Sequence, residues 1–286
     1  MRKLYPGLIS ALWLGGTTCA LAQGSGPGVR GARAAALGNA SVTLHDVWSV
    51  GNNVAGLGQV TRKSIGFYAA NQFVLRALNS TALAVVLPIG AVAETDTKAK
   101  NGVLGFEAQR FGDKLYAEQR LGAGYGYRGG QVSVGVRADL LQLSIEGLGS
   151  RRAVALSLGG QAEVVPQRLI FGAYLYNLNQ AKLARYEDER VPTVLKAGLS
   201  YRPSKKLLLN VETEKSVEQE VNLKAGLEYH VIEALSLRAG LATLTEQTTA
   251  GLGFVAGRFQ IDYAAAWQTA LGLSQHVGLS FQTGTK

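Results

Sequence analysis

The chain contains one cysteine, one methionine, six prolines and three histidines in 286 residues, and each shortage closes off some chemistry. The single cysteine is Cys19, inside a stretch that reads as a cleavable leader. The rest of the chain therefore offers no disulfide, no thiolate metal ligand and no cysteine nucleophile. His45, His230 and His276 lack a second histidine at helical spacing and a ligand-type carboxylate cluster, so no zinc site is expected. No serine has a histidine and an acid evidently arranged around it, and the chain is expected to be neither an enzyme nor a cofactor carrier. After residue 22 no 18-residue stretch is predominantly apolar, and the longest uncharged run, 263–285, is broken by Gln268, Ser274, Gln275, His276 and Gln282. Helical membrane spans are not expected.

What remains is apolar and rich in glycine. The hydrophobic fraction is 47% against 17% charged, too apolar for a disordered chain. Thirty-six glycines disfavour a long-helix architecture, because each costs about 1 kcal/mol against alanine in a helix. An all-β fold is the class left.

Arg2 and Lys3, a mostly apolar segment over 4–16 and the small-x-small pattern Ala20-Leu21-Ala22 predict a signal peptide over 1–22. Without it, 27 basic residues stand against 20 acidic ones, a net charge of +7 spread along the chain rather than clustered. That dispersal suits anionic lipid headgroups and not a nucleic-acid patch.

The body alternates with period two. Leu121, Ala123, Tyr125 and Tyr127 share one strand face opposite Arg120, Gly122, Gly124, Gly126 and Arg128. After the Gly129-Gly130 turn, Val132, Val134, Val136, Ala138 and Leu140 oppose Ser133, Gly135, Arg137 and Asp139. The pattern recurs around residues 195–201, 207–214, 223–230 and 259–267. From Ser64 onward about 14 such segments can be placed, each roughly ten residues long, joined alternately by tight turns and by longer loops, the longest at 180–192. A soluble sandwich would also alternate, but it would leave all these polar faces in water. Apolar residues outward and polar residues inward make a closed transmembrane barrel the more economical reading. The prediction is an all-β outer-membrane barrel of a Gram-negative bacterium, about 14 antiparallel strands over 64–286, with lipid as its first partner. Inward glycines (Gly122, Gly124, Gly126, Gly135, Gly198) would let an inner segment approach the wall. Tyr201, Tyr229, Tyr263 and Trp267 are placed in an interfacial aromatic girdle.

Residues 23–63 do not alternate. They hold an alanine-rich helical stretch, a polar loop with Trp48, and Asn52-Asn53, and are long enough to enter the lumen as a hatch. Trp48, Asn52 and Asn53 are the candidate hatch and gating residues.

The run GARAAALGNASVTLHDVWSVGNNVAGL over 31–57 resembles the amino-terminal signature of the PorV/PorQ proteins of Bacteroidota, within the FadL-like barrel superfamily. LYAEQR (115–120), YEDERVPT (186–193) and KAGLSYRP (196–203) extend the resemblance. One departure is Asn53-Val54-Ala55-Gly56, where the family usually has proline after the asparagine. The resemblance implies a 14-stranded outer-membrane barrel with an amino-terminal hatch. It also implies a role beside the type IX secretion components or their cargo, with Arg185, Tyr186, Glu187, Asp188, Glu189 and Arg190 of the charged outer loop as partner contacts. The alternative it carries is FadL-like passage of a hydrophobic small molecule.

Other patterns have plainer readings. Gly124-Tyr125-Gly126-Tyr127-Arg128-Gly129 has the spelling of a dinucleotide fingerprint but lies in an alternating strand, without the helix that motif needs. Glu187-Asp188-Glu189 is flanked by Arg185 and Arg190 and reads as a charge-paired loop rather than a calcium site. Glu212 and Glu214 share a strand face and are expected in an ionic lumen network with Lys215, Lys224 and Arg238.

Overall fold

The computed structural model describes residues 26–90, 99, 101–183, 190–217 and 219–283. The expected leader and Arg185, Tyr186, Glu187, Asp188 and Glu189 lie outside the described residues.

Fourteen strands follow a hatch of short helices. They are β1 (Ser64–Asn71), β2 (Asn79–Pro88), β3 (Val103–Gly112), β4 (Tyr116–Gly129), β5 (Val132–Ile145), β6 (Gly149–Val165), β7 (Leu169–Tyr176), β8 (Val194–Ser204), β9 (Leu207–Ser216), β10 (Asn222–Ile232), β11 (Leu235–Ala242), β12 (Gln247–Ala256), β13 (Phe259–Gln268) and β14 (Gly272–Gln282). Each pairs antiparallel with its sequence neighbours, and β1 closes the sheet on β14, with Phe67 opposite Leu279. Closure removes both sheet edges, so every strand has a partner on each side.

The alternation settles which face is which. On β5, Val132, Val134 and Val136 are 50–53% exposed, whereas Ser133, Arg137 and Asp139 on the inner face are 1–3% exposed. The same inversion holds on β8, where Leu195 and Leu199 point out and Lys196 is fully buried, and on β10, where Leu223 and Leu227 point out and Glu228 is buried. A water-soluble protein would place these groups the other way round. An apolar outer wall around a buried ionic interior is stable only where the outside is hydrocarbon. Of the expected aromatic girdle, Tyr201, Tyr229 and Trp267 lie outward near strand ends, but Tyr263 sits at mid-strand on β13, opposite Val277, so it lies nearer mid-wall than the rim.

The two barrel ends differ. One carries the short turns 130–131, 166–168, 205–206, 233–234 and 257–258, one long connection at 89–102 and both chain junctions at residues 63 and 283; the other carries connections of three residues or more, up to 177–193. By that asymmetry the first end is periplasmic and the second faces outward.

Candidate functional site: the hatch and its lumen

The hatch lies inside the barrel. It begins near the outer part of β4, where Arg120 donates to the carbonyls of Gly26 (2.7 Å) and Pro27 (3.2 Å), and leaves for β1 at the periplasmic end. Within it are α1 (Ala32–Ala36), α2 (Ser49–Asn52) and a 3₁₀ turn (Val54–Gln59). The alanine-rich stretch makes only five residues of helix. Gly31 starts it at φ 89, and a Cβ there would strike the Trp48 indole, so glycine is needed both for the backbone and for the packing.

Small residues let backbone meet backbone. Gly226 of β10 and Gly240 of β11 are cross-strand partners, and Leu37 and Gly38 of the hatch rest directly on the pair. A Cβ on either wall glycine would collide with them. Of the inward glycines expected to admit a hatch, Gly124 and Gly135 face Val54, Gly126 faces Leu57, and Gly198 faces Val42. Gly122 differs, because it makes room for the Arg137 side chain from the neighbouring strand.

Three ionic clusters sit on the wall, and all three hold the hatch. Arg30 donates from Nε to Glu107 Oε1 of β3 at 2.8 Å; the other oxygen of Glu107 accepts from Arg137 of β5 at 2.7 Å, and Arg137 also pairs with Asp139 at 2.6 Å. Arg33 makes a two-pronged pair with Glu228 of β10, both contacts 2.8 Å, and Arg238 of β11 joins Glu228 to Asp262 at 2.6 Å each. The third cluster has Lys224 bonded to Glu212 (3.2 Å) and Glu214 (2.7 Å), with Lys196 on Glu214 at 3.2 Å, while Glu212 also accepts the amides of Ser41 and Val42. Sequence reasoning placed Lys215 and Arg238 in this last cluster. Lys215 is instead exposed on the outer parity of β9 and Lys196 takes its place, while Arg238 belongs to the Glu228 cluster.

The candidate gating residues brace the hatch. Asn52 brackets Arg30, accepting its amide at 2.9 Å and donating to its carbonyl at 2.8 Å. Asn53 donates to Val42 O at 2.7 Å and accepts from Ala55 N at 3.2 Å, capping the 3₁₀ turn. Trp48 is buried edge-on against Tyr68 of β1, ring centres 5.8 Å apart, and Tyr68 bonds His276 at 2.8 Å. Trp48 thus fills space against the wall.

Burial sets the hatch charges. Burial works against Arg33, yet Glu228 holds its guanidinium above the ordinary range. Burial raises the Asp46 carboxyl against the pull of Arg33. Burial, reinforced by Arg202, Arg33 and Arg128, pushes His45 down to about 3, so its ring is neutral at physiological pH.

Apolar contacts run through the same space. Leu141, Ala153, Tyr176, Leu183, Val191 and Val194 lie at the outer end, Val42, Trp48, Val50, Val54 and Leu57 belong to the hatch, and Val86 and Val103 lie near the periplasmic end; all belong to one buried cluster. The outer loop contributes to it. Buried Asn177 donates to Val191 O at 2.7 Å and accepts from Ala181 N at 2.9 Å, which turns Leu183 and Val191 inward. The loop's described flanks are tucked into the mouth, with Arg190 exposed and donating to Gln180 at 3.0 Å.

No protein-family profile matches the chain, and no curated protein matches it in sequence. Solved structures do. A deltaS2 mutant of the TodX monoaromatic hydrocarbon channel superposes with a TM-score of 0.61 at 11% identity, covering 88% of this chain and 96% of that one. A Pseudomonas aeruginosa FadL homologue gives 0.57 at 11%, with 84% and 95% covered, and Acinetobacter baumannii Omp33 gives 0.51 at 9%, with 79% and 100% covered. Identities this low speak to fold. The closed fourteen-strand wall with its apolar exterior, and these neighbours, give the chain a FadL-like outer-membrane barrel fold.

Proposed function

We propose that this protein passes hydrophobic small molecules across the outer membrane, with the hatch as its gate. The observation that carries the reading is the continuous apolar cluster that threads an otherwise ionic lumen, from Leu183 and Val191 at the outer mouth, past Trp48, Val50 and Leu57, to Val86 and Val103. An apolar solute has a lined route wherever the hatch yields, whereas a hydrated solute would meet buried, mutually satisfied charges on the other sides. The hydrocarbon-channel neighbour supports the same reading through its fold. The type IX secretion-associated role rests on the hatch signature and on a loop of which only the flanks are described, and the apolar route favours transport over it.

Uptake decides the matter. Cells lacking the protein should take up aromatic and lipid probes more slowly than complemented cells, with sugar uptake unchanged. Equal rates across such a panel, together with co-purification of secretion components, would reverse the preference.

A further inference from the structure

We infer that the periplasmic vestibule beneath the hatch is a binding site for a small oxyanion, phosphate or carboxylate. A cavity of about 870 Å³ opens there, distinct from the apolar route. Six cationic side chains line it, Arg33, Arg128, Arg168, Arg202, Lys205 and Arg238, against three carboxylates, Glu163, Glu228 and Glu233.

The pairing is uneven. Glu228 is taken by Arg33 and Arg238, and Glu163 by Arg128 at 2.9 Å. Arg168, Arg202 and Lys205 have no acidic partner among the described residues, and Arg202 is half-buried between the wall and the cavity. His45 lines the same space from the hatch, and its Nδ1 is shut from solvent with no hydrogen-bond partner. An unpaired guanidinium withdrawn from water is costly, and the ligand that satisfies its planar fork is an oxyanion held by two parallel bonds. The surrounding wall has low polarizability, which focuses the positive field of the cluster toward the opening. The site requires only that this mouth meet the periplasm and does not depend on what crosses the apolar route, so its failure and that of the transport reading are told apart.

The test is titration of the full-length mature barrel in detergent with inorganic phosphate at low ionic strength, followed by calorimetry, with glycerol 3-phosphate as the headgroup probe. Saturable one-site binding is expected, weakened at least ~10-fold in the Arg168→Gln/Arg202→Gln double variant and unchanged in Arg110→Gln at the opposite end. Tighter binding of glycerol 3-phosphate identifies a lipid headgroup as the source of the anion, and equal or weaker binding a free anion. Folding of each variant is read from its heat-modifiable gel mobility. Should the double variant not fold, phosphate protection of Arg202 from phenylglyoxal in the unaltered protein gives the same decision. Absence of saturable binding up to about 50 mM phosphate, binding that ignores the double substitution, or modification of Arg202 that ignores phosphate, overturns the proposal.

Discussion

Arg30 of the hatch and Glu107 of β3 meet at 2.8 Å with 1% and 0% of their side chains exposed, and Glu107 shares its second oxygen with Arg137. One wall carboxylate thus neutralises a cation of the hatch and a cation of the wall. Glu107→Gln would leave both guanidiniums buried with too little negative charge. Removing one partner of such a pair costs about 3–5 kcal/mol. The expected outcome is a barrel of normal mobility with a loosened hatch, seen as faster amide exchange over residues 30–57 and larger pore currents.

The Gly226–Gly240 pair predicts a steric counterpart. Gly240→Val puts a side chain into the space held by Leu37 and Gly38, an overpacking worth about 1–3 kcal/mol. Because the new side chain faces the lumen, the barrel should still fold and show its heat-modifiable mobility, while trypsin should cleave more readily at Arg30 and Arg33.

His45 gives a pH dependence. Its folded-state pKa lies near 3, below its ordinary value of 6.5, so the docked hatch binds fewer protons than the released one. Docking is therefore at full strength above about pH 6.5 and weakens as pH falls toward 3, by about 1–2 kcal/mol at pH 5. Protection factors of the hatch amides, each taken against intrinsic exchange at the same pH, should fall between pH 7 and 5 in the native protein, and His45→Gln should flatten that change.

The outer wall is tested by Val136→Arg. Val136 faces outward within the apolar band of β5, and arginine there should cost about 2–4 kcal/mol of folding stability in lipid vesicles. Ser133→Asn, on the inner face of the same strand, should cost much less.

The strands were legible because period two runs through them, and a lipid exterior turns the large apolar residues mostly outward, although Val86, Leu141, Tyr176 and Val194 face the lumen. The expected run of about 14 strands from Ser64 onward is matched by fourteen strands, the first of which begins at Ser64. The segment of short helices before β1 was legible as a break in that alternation. Its contacts were not: Arg30 finds Glu107 across 77 positions and Arg33 finds Glu228 across 195, and only barrel closure and hatch docking bring such pairs together. For the same reason Lys196, two strands from Lys224, was missed as the second cation on Glu214, while Lys215, adjacent in sequence, was chosen wrongly. Strand parity carried the signal that could have excluded it, since Lys215 falls on the Val211 and Thr213 face.

The hatch as gate is tested most directly by locking it. A Cβ built on Gly278 of β14 lies 3.5 Å from Cβ of Ala32 in α1, within disulfide range. In a Cys19→Ser background, Ala32→Cys/Gly278→Cys tethers hatch to wall when oxidised. Uptake of an aromatic hydrocarbon by cells carrying this variant is predicted to stop under oxidation and to return with reductant. Equal uptake in the oxidised and reduced states would contradict the account.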